Sequence, residues 1–394
     1  MQLFANGFLP LDGSTINYTQ VFFKWPQIEG SEYYTLSINN STETFQFTTI
    51  SNSIILDQDF IDNDENFLDW DNQYDWEVCG ITGIIESCHT GNTFTINSLP
   101  EYYPDNVEVI LSSDEYYPGI TILDFDTIGF SAAINKQGNP IWFIDKYLFG
   151  NFNPKILVTQ LLKSGNFIGL GIGSGYEFDI NGNIIFQTSS EYGVHHHFIK
   201  ENDTYFLIDA VTELHPCPEG CPENLPEDIF WKGDKFVQLN NDGEMIWEWN
   251  VFDYINLSEY NPYYLQRFSN SYPEATAMDW THANSVFYDS DTENIFISIR
   301  NLSRIIKIDY SSMNIVWELG DISFMDEIYF NNEIEFSTQH SVKKIDNGHI
   351  LLFDNHSFLV PQISRCIELE YNEISDSVEI IWEYIMPDSL FTGS

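Results

Sequence analysis

Positive charge is scarce in this chain. Its 394 residues include 15 lysines and arginines against 60 aspartates and glutamates, a formal net charge of -45 at pH 7. Nucleic-acid phosphates and anionic lipid head groups would be repelled, because nearly the whole surface carries the same sign of charge. The composition therefore argues against nucleic-acid and anionic-membrane partners.

Long apolar runs are also missing. No stretch approaches the roughly 18 apolar residues of a membrane-spanning helix. The first residues, Met1–Asn6, lack the basic and long apolar segments of a secretory signal peptide. Two alternatives stay open, a cytosolic protein and a mature or trimmed chain.

Cysteine occurs five times, and its spacing predicts local pairing. Two disulfides, Cys79–Cys88 and Cys217–Cys221, would leave Cys366 over, which is typical of an oxidising compartment. Five reduced thiols are the alternative. His215 with the second cysteine pair could bind zinc, but a fourth ligand is missing nearby, so we expect no metal site.

Helical periodicity is nearly absent, and only Val251–Leu257 indicates a short surface helix. Residues 1–98 contain runs of strand formers, such as Tyr33–Ile38, separated by turn residues at sandwich-like spacing. The segments around Trp25 and Tyr74 resemble the core tryptophan segment and the tyrosine-bearing strand of a fibronectin type III module. We therefore expect an accessory β-sandwich of that kind.

Beyond the linker Leu99–Asp105 a unit recurs, made of a polar turn, two or three strand formers and usually a tryptophan. Its copies are Asn135–Trp142, Asn181–Phe186, Asn241–Trp247, Ser312–Trp317 and Ser375–Trp382. Each fits the outer part of a four-stranded blade, and the recurrence every roughly 45 to 70 residues predicts a β-propeller over residues 105–394. The chain stops as another unit should begin, so the last blade is expected to be incomplete.

Histidines open three of the predicted blades, in the segments Val194–Phe198, Asp279–Ser285 and Ser337–Val342, and Arg300 ends a strand. Inner strands of a propeller line one channel, so polar residues near their starts can converge. Each histidine alone could be a structural hydrogen-bonding residue. Three at equivalent positions, beside one of only 15 basic side chains, favour a functional site.

These segments resemble the bacterial arylsulfate sulfotransferase family. Asp279–Ser285 is similar to its D-W-x-H-x-N-S motif, Ile297–Asp309 to its S-x-R strand and following I-x-K-I-D, and Gln339–Asn355 to its Q-H and N-G-N-x-L-L-F-D-N pair. The resemblance covers about residues 105 to 390. It implies an all-β, six-bladed propeller that moves a sulfuryl group from a phenyl sulfate to a phenol through a sulfated histidine. No cofactor and no nucleotide sulfate donor are implied.

The chemistry of the matched residues suits such a transfer. His340 is the expected nucleophile, since a neutral imidazole is competent near neutral pH. Arg300 can meet two sulfate oxygens with its planar fork, while His282 and His196 donate to oxygens or protonate the leaving phenol. Asn284 is expected at the substrate, orienting a neighbour.

The segment His195–His197 departs from the family, which more often has His-His-Asp there. On a regular strand His195 and His197 point one way and His196 the other. The family pattern puts its catalytic histidine at the His196 position. We therefore expect His196 alone of the three to face the site.

Sulfuryl transfer between phenols is the predicted function, with phenolic sulfates and phenols as small-molecule partners. A non-catalytic propeller that binds sulfated or acidic ligands through the same residues is the alternative from another class. A lyase acting on an acidic sugar is disfavoured, because the motifs match the sulfotransferases better. We expect a secreted or periplasmic protein, and a homodimer is compatible with the sequence.

Overall fold

The computed structural model describes residues 7–56, 68–104, 107, 109, 119–150, 154–331 and 334–387. The chain divides into two compact units, Met1–Val158 with Asp179–Asn183, and Thr159–Phe178 with Ile184–Ser394. Both are built mainly of strands, as the wealth of aromatic and β-branched residues predicts. Within the described residues, no helix has the length and apolar character needed to cross a membrane.

In the first unit, two sheets share one hydrophobic core. The strands are β1 (Ser14–Ile16), β2 (Val21–Lys24), β3 (Tyr33–Asn39), β4 (Thr44–Thr49), β5 (Ser53–Leu56), β6 (Asn72–Thr82) and β7 (Ile85–Ile96). The larger sheet has the order β1-β7-β6-β3-β4, and β2 pairs with β5. Alternate side chains point inward, among them Phe23, Leu36 and Trp76, so the predicted period of two is confirmed for these strands.

The two aromatic segments that led to the fibronectin-like prediction lie in this core. Trp25 is 0% exposed and packs edge-on against Tyr34, with ring centroids 5.5 Å apart. The Tyr74 hydroxyl accepts a hydrogen bond from the Asp69 backbone N–H at 2.7 Å. The type III assignment itself stays a prediction.

A third sheet of the first unit consists of β8 (Thr121–Phe125), β9 (Phe130–Ile134) and β10 (Pro140–Phe143), and a 3-10 helix, Lys146–Phe149, follows it. The polar turn Asn135–Asn139 joins β9 to β10. This sheet belongs to the same compact unit as the strands before it. A domain boundary between residues 98 and 105 stays a prediction.

The second unit is a succession of four-stranded antiparallel sheets. The first sheet consists of β11 (Leu157–Leu161), β12 (Phe167–Leu170), β13 (Gly175–Phe178) and β14 (Ile184–Gln187), and the second of β15 (Val194–Glu201), β16 (Thr204–Pro216), β17 (Asp228–Leu239) and β18 (Met245–Asn250). The third sheet consists of β20 (Ala283–Asp289), β21 (Asn294–Ile299), β22 (Arg304–Asp309) and β23 (Ile315–Gly320). The fourth consists of β24 (His340–Lys344), β25 (Ile350–Asp354), β26 (Arg365–Asn372) and β27 (Ser377–Ile385). A short strand, β19 (Met278–Asp279), adds to β17 in parallel.

Each of these sheets pairs its strands in chain order, the topology of a propeller blade. The later copies of the recurring turn unit connect the third and fourth strands of successive sheets, which confirms their predicted place in the blade. Apolar side chains of neighbouring sheets pack on one another and form the core of the unit. The β-propeller prediction is thus confirmed, while the count of six blades and the incomplete last blade stay predictions.

Two α-helices lie between β18 and β19. The first, α1 (Val251–Tyr254), begins where the sequence predicted a short helix. The second, α2 (Pro262–Ser271), was not predicted, although Asn261 caps it by accepting from the Tyr263 N–H and proline occupies its first turn.

Both predicted disulfides are present. Cys79 and Cys88 are bonded across the hairpin of β6 and β7, and Cys217 and Cys221 are bonded in the loop between β16 and β17. Cys366 is free, as expected. The alternative zinc site at His215 is therefore wrong, because its two cysteine ligands would be thiolates and are oxidised here.

A buried arginine ties the α2 region to the third sheet of the second unit. Arg304 is 0% exposed, and its Nη1 donates to Glu259 Oε2 at 2.7 Å and to Glu318 Oε1 at 3.0 Å. Its Nη2 donates to the Phe324 carbonyl. Burial raises the pKa of Glu318, and the arginine opposes that rise, so the cluster depends on the cation.

We expect Arg304→Ala to lower the free energy of unfolding by about 3–5 kcal/mol, because two buried carboxylates would lose their cation. Lys155→Ala, which breaks the exposed pair with Asp126, serves as the control and should cost about 1 kcal/mol or less. Urea denaturation of both variants measures the difference. Equal losses would show that the buried cluster is not a stabilising element.

Candidate active site

The predicted site residues all lie in the second unit, at the beginnings of first strands or beside them. His196 is in β15, His282 directly precedes β20, and His340 begins β24. Arg300 directly follows β21, whose last residue pairs with the first residue of β20. The sequence prediction that the histidines open successive blades is confirmed.

Hydrogen bonds between sheets hold these first strands side by side. The Val286 N–H of β20 donates to His197 Nδ1 of β15 at 3.1 Å. In the same way, the Val342 N–H of β24 donates to Ser285 Oγ of β20 at 2.9 Å. The three strands that carry the candidate histidines are thereby fixed relative to one another.

The segment before β20 places His282 through contacts of its neighbours. Asp234 Oδ2, buried in β17, accepts hydrogen bonds from Thr281 Oγ1 and from the Ala283 N–H, both at 2.6 Å. Trp280 is buried, and its indole N–H donates to the Glu259 carbonyl. The backbone is therefore anchored on both sides of His282, which adopts the left-handed conformation with φ 48°.

His282 stands between a carboxylate and a second histidine. Its Nδ1 lies 2.5 Å from Asp279 Oδ2, and its Nε2 lies 3.0 Å from His196 Nε2. Because a contact between two ring nitrogens needs one N–H and one lone pair, the two imidazoles share a proton.

The local charges keep Asp279 ionised and His196 neutral. Burial alone would raise the pKa of Asp279, but the hydrogen bond from His282 and the charges of Lys232 and Arg300 hold it below its ordinary value. Desolvation by the surrounding protein lowers the pKa of His196 to about 3, and the neighbouring His282 and His195 lower it as well. The side chain of His196 nevertheless remains exposed to solvent.

His340 has a defined tautomer. Its Nδ1 lies 3.0 Å from the Thr338 carbonyl oxygen, which can only accept, so Nδ1 carries the hydrogen and Nε2 carries the lone pair. Burial lowers the pKa of His340 to about 4, the Thr338 carbonyl opposes this, and the charges of Arg300 and His282 lower it further. The imidazole is thus neutral across the physiological range.

Arg300 faces a cavity of about 430 Å³ together with His282 and Asp279. Arg300 as a whole is 6% exposed, and its Nη1 donates to the Tyr264 hydroxyl at 3.1 Å and to Asn301 Oδ1 at 2.7 Å. Its charge also lies 5.9 Å from the centre of the Tyr264 ring. The cavity brings a buried cation, an imidazole and an aromatic wall together.

The triple-histidine segment does not follow regular strand alternation. The pairing of β15 with β16 is interrupted between Val194 and Phe198, and His196 has φ 53°. The alternation of a regular strand therefore does not apply here, because a bulge with a left-handed residue re-aims the side chains. His196 nevertheless meets His282, whereas His197 binds the backbone of β20 and His195 Nε2 lies 3.0 Å from Asp234 Oδ1 without hydrogen-bond geometry.

Asn284 and Gln339 hold the chain that leads into His340. Asn284 Nδ2 donates to the Gln339 carbonyl at 2.6 Å. The Gln339 amide in turn donates to Ser298 Oγ and to the Arg304 carbonyl, both at 2.9 Å. Asn284 is buried and orients a neighbour, and contact with substrate stays a prediction.

Sequence reasoning missed the roles of three residues in or near the cavity. Asp279 stands in the quoted motif three residues before His282, a spacing that could have indicated the pair. Gln339 stands directly before His340 in the Q-H motif. Tyr264 had no signal of its own, but the cap and proline at the start of α2 could have revealed the helix that carries it.

Blade-like sheets with histidines and an arginine gathered at neighbouring first strands define an all-β propeller protein with a candidate enzyme site. No curated protein matches the chain significantly. Residues 92–393 match the family model described as arylsulfotransferase (ASST), so the chain belongs to that family. Membership supports arylsulfate sulfotransferase activity in general and confirms the resemblance drawn from the motifs.

Solved structures similar to the chain are remote in sequence. A structural genomics protein of unknown function from Bacteroides thetaiotaomicron is 12% identical, with 95% of this chain and 84% of that chain covered and a TM-score of 0.40. A protein of unknown function from Bacteroides caccae is 10% identical, with 67% and 77% covered and a TM-score of 0.39. The Cps50 (Swd1) β-propeller domain from Myceliophteria thermophila is 10% identical, with 66% and 67% covered and a TM-score of 0.35. None of these similarities bears on the reaction.

Asp279→Asn should lower kcat for aryl sulfate turnover by about 10²-fold or more with little change in KM, because the neutral amide no longer supports a positive charge on His282. Steady-state kinetics and the melting temperature of the variant provide the measurement. Asp291→Asn, in the exposed turn between β20 and β21, is the matched control and should behave as the unchanged protein. A parallel loss of kcat and melting temperature would instead assign Asp279 a purely structural role.

Proposed function

We propose that the protein transfers sulfuryl groups from phenolic sulfate esters to phenols through a covalent sulfohistidine at His340, independently of a nucleotide sulfate donor. The observation that carries the proposal is the tautomer of His340. A neutral imidazole whose Nδ1–H is engaged by the Thr338 carbonyl presents its Nε2 lone pair as a nucleophile.

The first half-reaction forms one bond and breaks one. The Nε2 lone pair of His340 attacks sulfur, the bond between sulfur and the aryl oxygen breaks, and that electron pair leaves on the phenolate. His340 keeps its Nδ1–H, so the positive charge of the sulfated ring is balanced by the negative sulfonate group. The Thr338 carbonyl, as acceptor, stabilises this cationic ring.

The pair His282 and His196 handles the proton. His282 Nε2–H protonates the departing phenolate while Asp279 holds its Nδ1–H. In the second half-reaction an acceptor phenol returns its proton to the same imidazole, and its oxygen attacks sulfur. The bond between sulfur and Nε2 breaks, and His340 regains its lone pair with no net consumption of protons.

Arg300 is the proposed partner of the sulfate oxygens. It is buried in the cavity wall next to His282, and a guanidinium matches the geometry of sulfate oxygens. Asn284 is proposed to keep the segment before His340 in place through its bond to the Gln339 carbonyl. The two disulfides favour a secreted or periplasmic location, where such bonds persist.

Incubation with a phenyl sulfate and no acceptor should leave one sulfuryl group on the peptide that carries His340, and His340→Ala should abolish both adduct and turnover. The acid limb of adduct formation should lie near pH 4 rather than near 6.5, because the pKa of His340 is lowered to about 4 and the neutral ring is the nucleophile. Intact and peptide mass spectrometry across the pH range measure both.

His349→Ala is the matched control, since this histidine lies in the turn between β24 and β25 and pairs with Glu368. Adduct and turnover should persist in that variant. Turnover that survives His340→Ala, with no adduct in the unchanged protein, would falsify the covalent route. Binding of aryl sulfates without adduct or turnover would favour the non-catalytic propeller.

Arg300→Lys should lower kcat/KM by about 10- to 100-fold, because lysine keeps the charge but loses the planar fork. The melting temperature should change little. Kinetics with a single aryl sulfate and thermal denaturation of the same preparation measure the effect. Near-normal turnover in this variant would move Arg300 to a structural role.

A further inference from the structure

Helix α2 forms one wall of the active-site cavity. Tyr264, Arg267, Phe268 and Ser271 lie on one face of the helix at helical spacing, and all four line the cavity opposite His282 and Arg300. Tyr264 and Phe268 are buried aromatic side chains suited to contact a substrate ring. The wall also carries Arg267, a second cation beside Arg300 in this cavity.

Arg267 differs from Arg304 and Arg365, which are both paired with carboxylates. Its side chain is exposed to the cavity, and within the described part of the chain it makes no ion pair or hydrogen bond. Acidic residues outnumber basic ones by 60 to 15, so an arginine without a carboxylate partner needs an explanation. Asp279, the carboxylate among the lining residues of this cavity, is engaged with His282.

Arg267 and Arg300 both line the cavity with Tyr264. Both charges act on the Tyr264 hydroxyl, where they oppose the rise in pKa that burial causes. One cavity is thus lined by two cationic groups and by the aromatic side chain on which both act. A single sulfate group needs only one of them.

The overall charge of the protein acts against the binding of anionic substrates. A net charge of -45 repels an anionic substrate at long range, and a substrate with two negative groups is repelled most. Such a substrate would need a local cation for each group. The small side chains Ser271, Ala275 and Ala277 leave room along the same wall for a ring substituent.

We propose that Arg267 binds a second anionic group on the aromatic ring, so that the preferred substrates are aryl sulfates and phenols that also carry a carboxylate or a further sulfate. This inference rests on the proposed function and adds a substrate class to it. Arg300 holds the sulfuryl group that is transferred, Tyr264 and Phe268 contact the ring, and Arg267 selects the charged substituent.

The test compares phenyl sulfate with 3- and 4-carboxyphenyl sulfate as donors, and phenol with 3- and 4-hydroxybenzoate as acceptors. In Arg267→Gln, the ratio of kcat/KM for the better carboxylated substrate to that for the neutral one should fall about tenfold, because the pairing charge is lost. The ratio in the unchanged protein should also shrink with added salt, since Arg267 is exposed. Gln266→Ala, on the next position of α2, is the matched control and should leave the ratio unchanged.

An unchanged ratio in Arg267→Gln would overturn the inference and leave the proposed function intact. If the unchanged protein turns over none of these esters, the proposed function fails, and calorimetry with stable analogues then decides the inference. In that case 4-sulfobenzoate should bind about tenfold more tightly than benzenesulfonate, and Arg267→Gln should abolish the difference. Equal binding of the two analogues by the unchanged protein would overturn it.

Discussion

The candidate site depends on hydrogen bonds between the first strands of neighbouring sheets. His197 accepts from the backbone of β20, and Ser285 accepts from the backbone of β24, so three strands from three separate sheets are fixed side by side. Each sheet contributes one histidine, and none of the sheets could assemble the site alone. The packed apolar faces between the sheets supply most of the cohesion, but these polar contacts determine which atoms meet.

The chain has few basic residues, and its two buried arginines, Arg304 and Arg300, differ in what they contact. Arg304 is surrounded by carboxylates and a carbonyl, which makes it a cross-link between the α2 region and the sheet. Arg300 lies a short distance along the same chain, where its Nη1 donates to two neutral groups, the Tyr264 hydroxyl and Asn301 Oδ1, at the wall of the cavity. The same residue type therefore stabilises the fold at one position and shapes the electrostatic field at the other.

The sequence predicted the elements that depend on local pattern. Recurring turns between strand formers indicated the blades, and histidines at equivalent places indicated the site, because both follow from repetition along the chain. The family pattern indicated that His196 faces the site, but the bulge that aims its side chain could not be predicted, since the neighbouring His197 is held by the backbone of another sheet. Likewise, the role of Asp279 depends on a turn that is anchored by Asp234, about 45 residues earlier in the chain. The cavity wall was missed because a single ten-residue helix makes a weak signal in an all-β pattern.

The left-handed backbone at His196 and His282 determines which substitution removes their imidazole rings with the least strain. Glycine is the one residue that adopts such φ values without steric cost, so removal of either imidazole down to glycine relieves the backbone rather than straining it. The space left would have the shape of the lost ring, lined by the remaining histidine and, at position 282, by a carboxylate. Free imidazole or a related heterocycle from solution could then occupy that space. The missing ring of either histidine can thus be supplied chemically to the glycine variant.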